Sequence, residues 1–329
     1  VALVSISIII ALAVIYGYLN GVTGSASVVA TMISSRALGP RRALVLAALA
    51  MAVGPLFLGL AVANTIGMEL VNPNITSGQI VIAGLLGAVV WSSFTQWLKL
   101  PTSISQSLVG GLVGAVWAGY GWQAISQAGL NKAIAALFLS PILGLLAAFI
   151  LVRFTYFLCA SATPHVNRWF NRGQVLVSLL MAMSFGSNNS QSTMGVITLG
   201  LVATGFLQSF VVPQWVIYLS AGVLCLSTLI GGFRLIHTMG GKFYKIRPIH
   251  GFSAQMASGT VILGASLLGG PVSGSQVVTS AIVGAGSADR IQMIRWNVVQ
   301  SILLGWILTI PLSGLVSALT YTLLRGATG

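Results

Sequence analysis

The sequence predicts an all-α fold: a polytopic helical membrane protein of two inverted-topology repeats with broken or re-entrant helices. Three observations predict it. Of the 329 residues, 56% are hydrophobic and 5% charged, against roughly 25% charged in an ordinary soluble domain. The apolar residues run in blocks of about 20, the length that spans a hydrocarbon core. The chain also repeats itself, with its basic residues reversed between the halves.

Apolar blocks fall at 2–19, 43–66, 78–98, 101–120, 132–157, 174–206, 215–234, 251–270, 271–286 and 296–324. The first is too long for a signal-peptide core and has no basic flank before it, so it reads as a membrane helix. Asn20 to Leu38 is rich in Ser, Thr, Ala and Gly and carries no charge before Arg36. It is too apolar for a long solvated loop and too polar to face lipid. Irregular or half-helical backbone beside a buried cavity is the expectation there, and again at Gly186–Ser192 inside the sixth block.

Pro101-Thr102-Ser103-Ile104-Ser105-Gln106 recurs as Pro271-Val272-Ser273-Gly274-Ser275-Gln276, an offset of 170, and Gly114 recurs as Gly284. The polar breaks near residues 24 and 189 are offset by 165. Shared landmarks in one order divide the chain into repeats at 1–157 and 174–329, joined by a loop at 158–173. Charge then orients them. Arg36, Arg41 and Arg42 have no basic counterpart near 203–211, and Arg234, Lys242, Lys245 and Arg247 have none near 64–77. Arg290 and Arg295 likewise face an uncharged counterpart near 120–125. If basic loops are cytoplasmic, equivalent loops lie on opposite sides and the repeats are inverted, an arrangement typical of secondary transporters. Thirteen basic residues then fall inside, with Lys132 and Arg325 outside.

The P-x-S-x-S-Q segments read as half-helix starts within the bilayer. Pro suits a first helical turn, and Ser caps it by accepting from a following N–H. Two such starts, Ser103, Ser105 and Gln106 with Ser273, Ser275 and Gln276, offer a neutral cradle for an oxyanion. The breaks add Ser25, Ser27, Asn188 and Asn189 as candidate ligands. The competing structural role is close helix packing with hydrogen bonds between helices. The only carboxylates, Glu69 and Asp289, fall in loops. No catalytic group, metal site or cofactor motif emerges. His165, His237 and His250 lack metal-ligand spacing, and Cys159 and Cys225 read as packed thiols. The net charge of +13 follows from positive-inside topology, and no nucleic-acid partner is expected.

At these residues the chain resembles the inorganic phosphate transporter (PiT, Pho4-type) family. Asn20 to Thr31 is similar to its first signature, N-G-F-H-D-x-A-N-x-V-A-T. Ser184 to Leu199 is similar to the second, S-H-G-S-N-D-A-Q-K-T-M-G-I-I-T-L. Pro101–Gln106 and Pro271–Gln276 resemble its paired P-V-S-T-T-H segments, and Gly231–Arg234, Pro248–Phe252 and Arg295–Val299 also match. The resemblance implies a secondary transporter of inorganic phosphate with inverted repeats, typically driven by sodium ions or protons. The departures are systematic. The signature Asp is Gly24 in one half and Asn189 in the other, an Asn is Ser27, a His is Phe185, and the paired-segment His is Gln106 and Gln276. A second-half Glu is Gln255.

The leading expectation is therefore an inner-membrane, multi-pass phosphate permease working by alternating access, with a sodium ion or proton as its coupling ion. A sulfate or related oxyanion permease with weak or no cation coupling is the alternative, because sulfate gains nothing from an acceptor carboxylate. A transport-inactive scaffold or sensor is the reading from another class. Lipid is the expected surround, and a homodimer is left open as the assembly.

Overall fold

The computed structural model describes residues 2–73, 76–98, 100, 102–161, 163, 165–231, 247–289 and 296–328. Pro101, the basic stretch 234–245, Arg290 and Arg295 lie outside the described residues. Eleven α-helices are described: α1 (Ala2–Ser34), α2 (Pro40–Phe57), α3 (Ala61–Asn64), α4 (Gly78–Trp97), α5 (Ile104–Tyr120), α6 (Gln127–Leu158), α7 (Val166–Ala203), α8 (Gln214–Gly231), α9 (Pro248–Leu267), α10 (Gly274–Asp289) and α11 (Trp296–Thr328). A π-helical turn, Thr65–Glu69, follows α3. Six of the described helices are long and apolar enough to cross a membrane. Helix α6 turns Phe138, Leu139, Ile142, Leu146, Ile150 and Phe154 outward, an apolar face suited to lipid.

Local chemistry sets several helix starts. Pro40 opens α2 behind an extended Gly39, and Ser126 caps α6 by accepting from Gly129 N. Helices α6 and α11 each carry an interior proline, Pro141 and Pro311. That pair, 170 residues apart, is a further repeat landmark that the sequence reading overlooked. Packing between helices satisfies the backbone that a proline frees at membrane depth.

The packing of the two halves is reciprocal. Helix α5 packs on α11 as α10 packs on α6, and α2 packs on α7 as α8 packs on α1. Helices α1 and α7 cross antiparallel, with Ile9 against Gly200, Gly17 against Thr193 and Gly24 against Phe185. Equivalent helices thus run in opposite directions, so the relating axis is perpendicular to them and lies in the membrane plane. Small residues permit the approach: a Cβ on Gly114 would lie 2.1 Å from Gly314 O, and one on Gly284 2.1 Å from Leu145 O. The crossings are pseudo-symmetric partners.

The helix directions also separate the charges. The C-terminal end of α1 meets the start of α7, where Ser35 Oγ donates to Gln174 Oε1 at 2.9 Å. Arg36, Arg41, Arg42, Arg153, Arg168, Arg172 and Arg247 therefore gather at one face. Lys132 and Arg325 lie at the other. This distribution agrees with the orientation expected from sequence.

Two expectations are corrected. The polar segments are not irregular: α1 runs unbroken to Ser34, and α7 runs through Gly186–Ser192. Their hydroxyls bond backward along the helix, Ser25 to Val22 O at 2.8 Å, Ser184 to Leu180 O at 3.0 Å and Ser192 to Asn188 O at 3.3 Å, so polarity does not break the helix. The linker at 158–173 is not wholly a loop either, since α7 begins at Val166. The broken helices lie elsewhere. Helix α5 has 17 residues and α10 has 16, spanning about 25 Å at 1.5 Å per residue. Each starts inside the protein, at fully buried Ser103 and at Ser273, which is 3% exposed.

Candidate functional site

A small, mostly buried cavity lies where α1, α5, α7 and α10 meet. It is lined by Asn20, Thr23 and Gly24 from α1, Ile104 and Ser105 from α5, Phe185 and Asn189 from α7, and Ser273, Gly274 and Ser275 at the start of α10. The first turns of two half-helices from opposite repeats therefore face one space. Each N-terminus presents about +0.5 of an elementary charge, so the pair is comparable with the charge of a monovalent anion. None of the lining residues is Asp, Glu, Lys, Arg or His.

Of the residues expected from sequence, Ser105, Asn189, Ser273 and Ser275 line this cavity. Ser273 and Ser275 hydroxyls lie 3.4 Å apart. Asn189 is 2% exposed, and its Nδ2 is buried without a hydrogen-bond partner. A donor left unpaired at membrane depth is costly, and here it belongs to a side chain that lines the cavity. It is the clearest single mark of a ligand position.

The other six expected residues have different placements. Ser103 is the N-cap of α5, its Oγ accepting from Gln106 N at 3.1 Å. Gln106 and Gln276 do not line the cavity; their amides pair reciprocally, at 3.3 and 3.1 Å. This exchange ties the two half-helices together and satisfies both side chains. Asn188 is equally committed. Its Nδ2 donates to Ser266 Oγ at 2.8 Å and Gly270 O at 3.1 Å, and its Oδ1 accepts from Val272 N at 3.0 Å. It thereby holds the approach to α10. Ser25 bonds within α1, and Ser27 is buried away from the lining.

Sequence reading missed four contributors. Asn20, which opens the first signature, lines the cavity, and its Nδ2 meets Tyr16 Oη at 3.5 Å. Fully buried Tyr16 also reaches the hydroxyls of Ser105 and Ser192. Thr23 lines the cavity and accepts from Gln96 Nε2 at 2.9 Å. Phe185 fills one wall. The Asn in N-G was a visible signal, and Phe185 stood out only as a departure from the family's His; the tyrosine was indistinguishable from an ordinary apolar residue.

Gln255 donates through Nε2 to Val28 O at 2.9 Å and to Thr31 Oγ1, clamping α9 to α1. Glu69 is also occupied, accepting from Lys132 Nζ at 2.8 Å and Thr65 Oγ1 at 3.1 Å. Among the described residues no cluster of His, Cys, Asp or Glu suits a metal ion.

Two inverted halves enclosing a neutral, donor-lined cavity define the class: a multi-pass membrane transporter. The comparisons give the family. A model of the phosphate transporter family (Pho4 type) matches residues 20–164 and 159–317. The chain belongs to that family. It is 38% identical over 315 residues to a probable low-affinity inorganic phosphate transporter of Rhizobium meliloti (strain 1021), covering 95% of this chain and 94% of the relative. A protein of the same description from Bacillus subtilis (strain 168) is 35% identical over 323 residues, covering 97% and 96%. A solved sodium-dependent phosphate transporter superposes with a TM-score of 0.88 at 21% identity, over 98% of this chain and 99% of that one. That likeness shows the fold.

Proposed function

We propose that this chain carries inorganic phosphate across the membrane by alternating access, with the anion held in the cavity between α1, α5, α7 and α10. The observation that carries the reading is the buried, unpaired Nδ2 of Asn189 beside three serine hydroxyls and two helix starts. Donors fixed before the ligand arrives cost no reorganisation on binding and gain strength in a dry interior. The relatives named above are described as phosphate transporters, which supplies the substrate class. The moving units are helix groups drawn from both repeats, because helices of 1–157 pack on helices of 174–329. A coupling sodium ion or proton has only neutral oxygens among the lining side chains.

One observation favours sulfate as a second reading. No lining carboxylate accepts the proton of monoprotonated phosphate, which leaves that role to an amide or hydroxyl oxygen. Uptake of labelled phosphate and sulfate into liposomes, with and without sodium and pH gradients, separates the readings. Phosphate uptake that a sulfate excess leaves intact is expected. Preferential sulfate uptake would replace the substrate, and failure to move either anion would favour the scaffold reading.

A further inference from the structure

We infer that Phe185 is the occluding and size-selecting residue of the cavity, a ring that must leave the gap between Gly24 and Gly274 before phosphate is admitted. The inference rests on the cavity being the anion site. Phe185 is 2% exposed. A Cβ on Gly24 would lie 2.4 Å from its Cε1, and one on Gly274 2.3 Å from its Cε2. The ring therefore occupies space that any other residue at either glycine would claim.

The space left for the centre of a water molecule is about 10 Å³, room for one water. Phosphate, with four oxygens around phosphorus, needs several times as much, so a lining group must move. The helix backbones are held by close crossings, and Asn20, Thr23, Ser105, Asn189, Ser273 and Ser275 are all small. Phe185 is the one aromatic lining residue, and it offers an oxyanion no N–H or O–H donor. Its place is explained by filling and vacating the cavity. Gly274 starts α10, which packs on α6 and α9, whereas Gly24 lies on α1, in the close crossing with α7 that carries the ring. A turn of the Phe185 side chain toward the α10 start, or a shift of α10 away from α7, thus opens the cavity along that wall.

Shape complementation tests this. Phosphate uptake into liposomes is measured with phenylphosphonate and methylphosphonate as competitors, for the parent, Phe185→Ala, Phe185→Leu and Asn189→Leu proteins. Phe185→Ala removes a ring that the phenyl group of the competitor replaces. Phenylphosphonate should gain about tenfold in potency relative to methylphosphonate, the scale of a hydrophobic-pocket difference. Phe185→Leu should gain about threefold by the same measure, and it carries the comparison if the alanine protein does not fold. A loss of packing alone would move both competitors together. An unchanged potency ratio in the folded Phe185 variants, with uptake still sensitive to Asn189→Leu, would overturn the role of Phe185 only. Uptake indifferent to Asn189→Leu would overturn the cavity as the anion site.

Discussion

At the crossing of α1 and α7, the two repeats place different side chains at matching positions. With the 165-residue offset, Asn20 corresponds to Phe185 and Gly24 to Asn189. One helix thus has an amide and then a gap, while the other has a ring and then an amide one turn later. The ring of α7 fills the gap of α1. A scaffold whose halves pack alike thereby encloses an asymmetric cavity, polar around Asn20 and Asn189 and apolar around Phe185. The symmetry belongs to the fold that allows motion, and the departure from it belongs to ligand recognition.

The largest test sets the two amides against each other. Asn189→Leu removes the unpaired donor, and loss of a hydrogen bond to a charged ligand, up to about 3 kcal/mol, lowers uptake or affinity about 100-fold. Asn20 already meets Tyr16 at a long 3.5 Å, so Asn20→Leu should cost about fivefold, nearer 1 kcal/mol. Equal losses in liposome uptake would break the asymmetry.

Next comes the filled gap. Gly24→Asp drives a Cβ into Phe185 and should lose about tenfold in uptake, from overpacking of about 1–3 kcal/mol. Adding Phe185→Ala to the same chain should recover uptake and make it fall as pH rises, because the ionised carboxylate repels the anion. A Gly24→Asp protein that transports normally would show that the ring yields freely.

The symmetric contact behaves differently. Gln106→Leu and Gln276→Leu each leave the other amide buried without its reciprocal partner, whereas the double variant removes both. A thermal-unfolding cycle in detergent should give a coupling of about 1 kcal/mol. Additive losses would show that the pair is not a unit. The smallest effect is expected at the Lys132–Glu69 ion pair, whose side chains are 36% and 43% exposed. Lys132→Ala should cost less than about 1 kcal/mol, and less again at high salt.

Membrane class, repeat structure and orientation were legible from the sequence because each depends on local composition or charge counted along the chain. So was the capping of α5 by Ser103, a contact three residues long. The sequence reading placed helix breaks at the polar runs because it treated a serine in an apolar block as unsatisfied. In α1 and α7 serines such as Ser25 and Ser184 are satisfied by carbonyls three or four residues back, so the helices run on, even with Ser190 Oγ buried and unpartnered.

What only the tertiary structure decided is which polar groups have partners. Gln106 and Gln276 are 170 residues apart, and Asn188 and Gly270 are 82. No local pattern says that these amides are spoken for while Asn189 is free. Nor does it say that Phe185 closes on two glycines from opposite repeats. Burial, period and charge are written residue by residue. The balance of donors, acceptors and volume at the crossing exists only once the inverted halves have met.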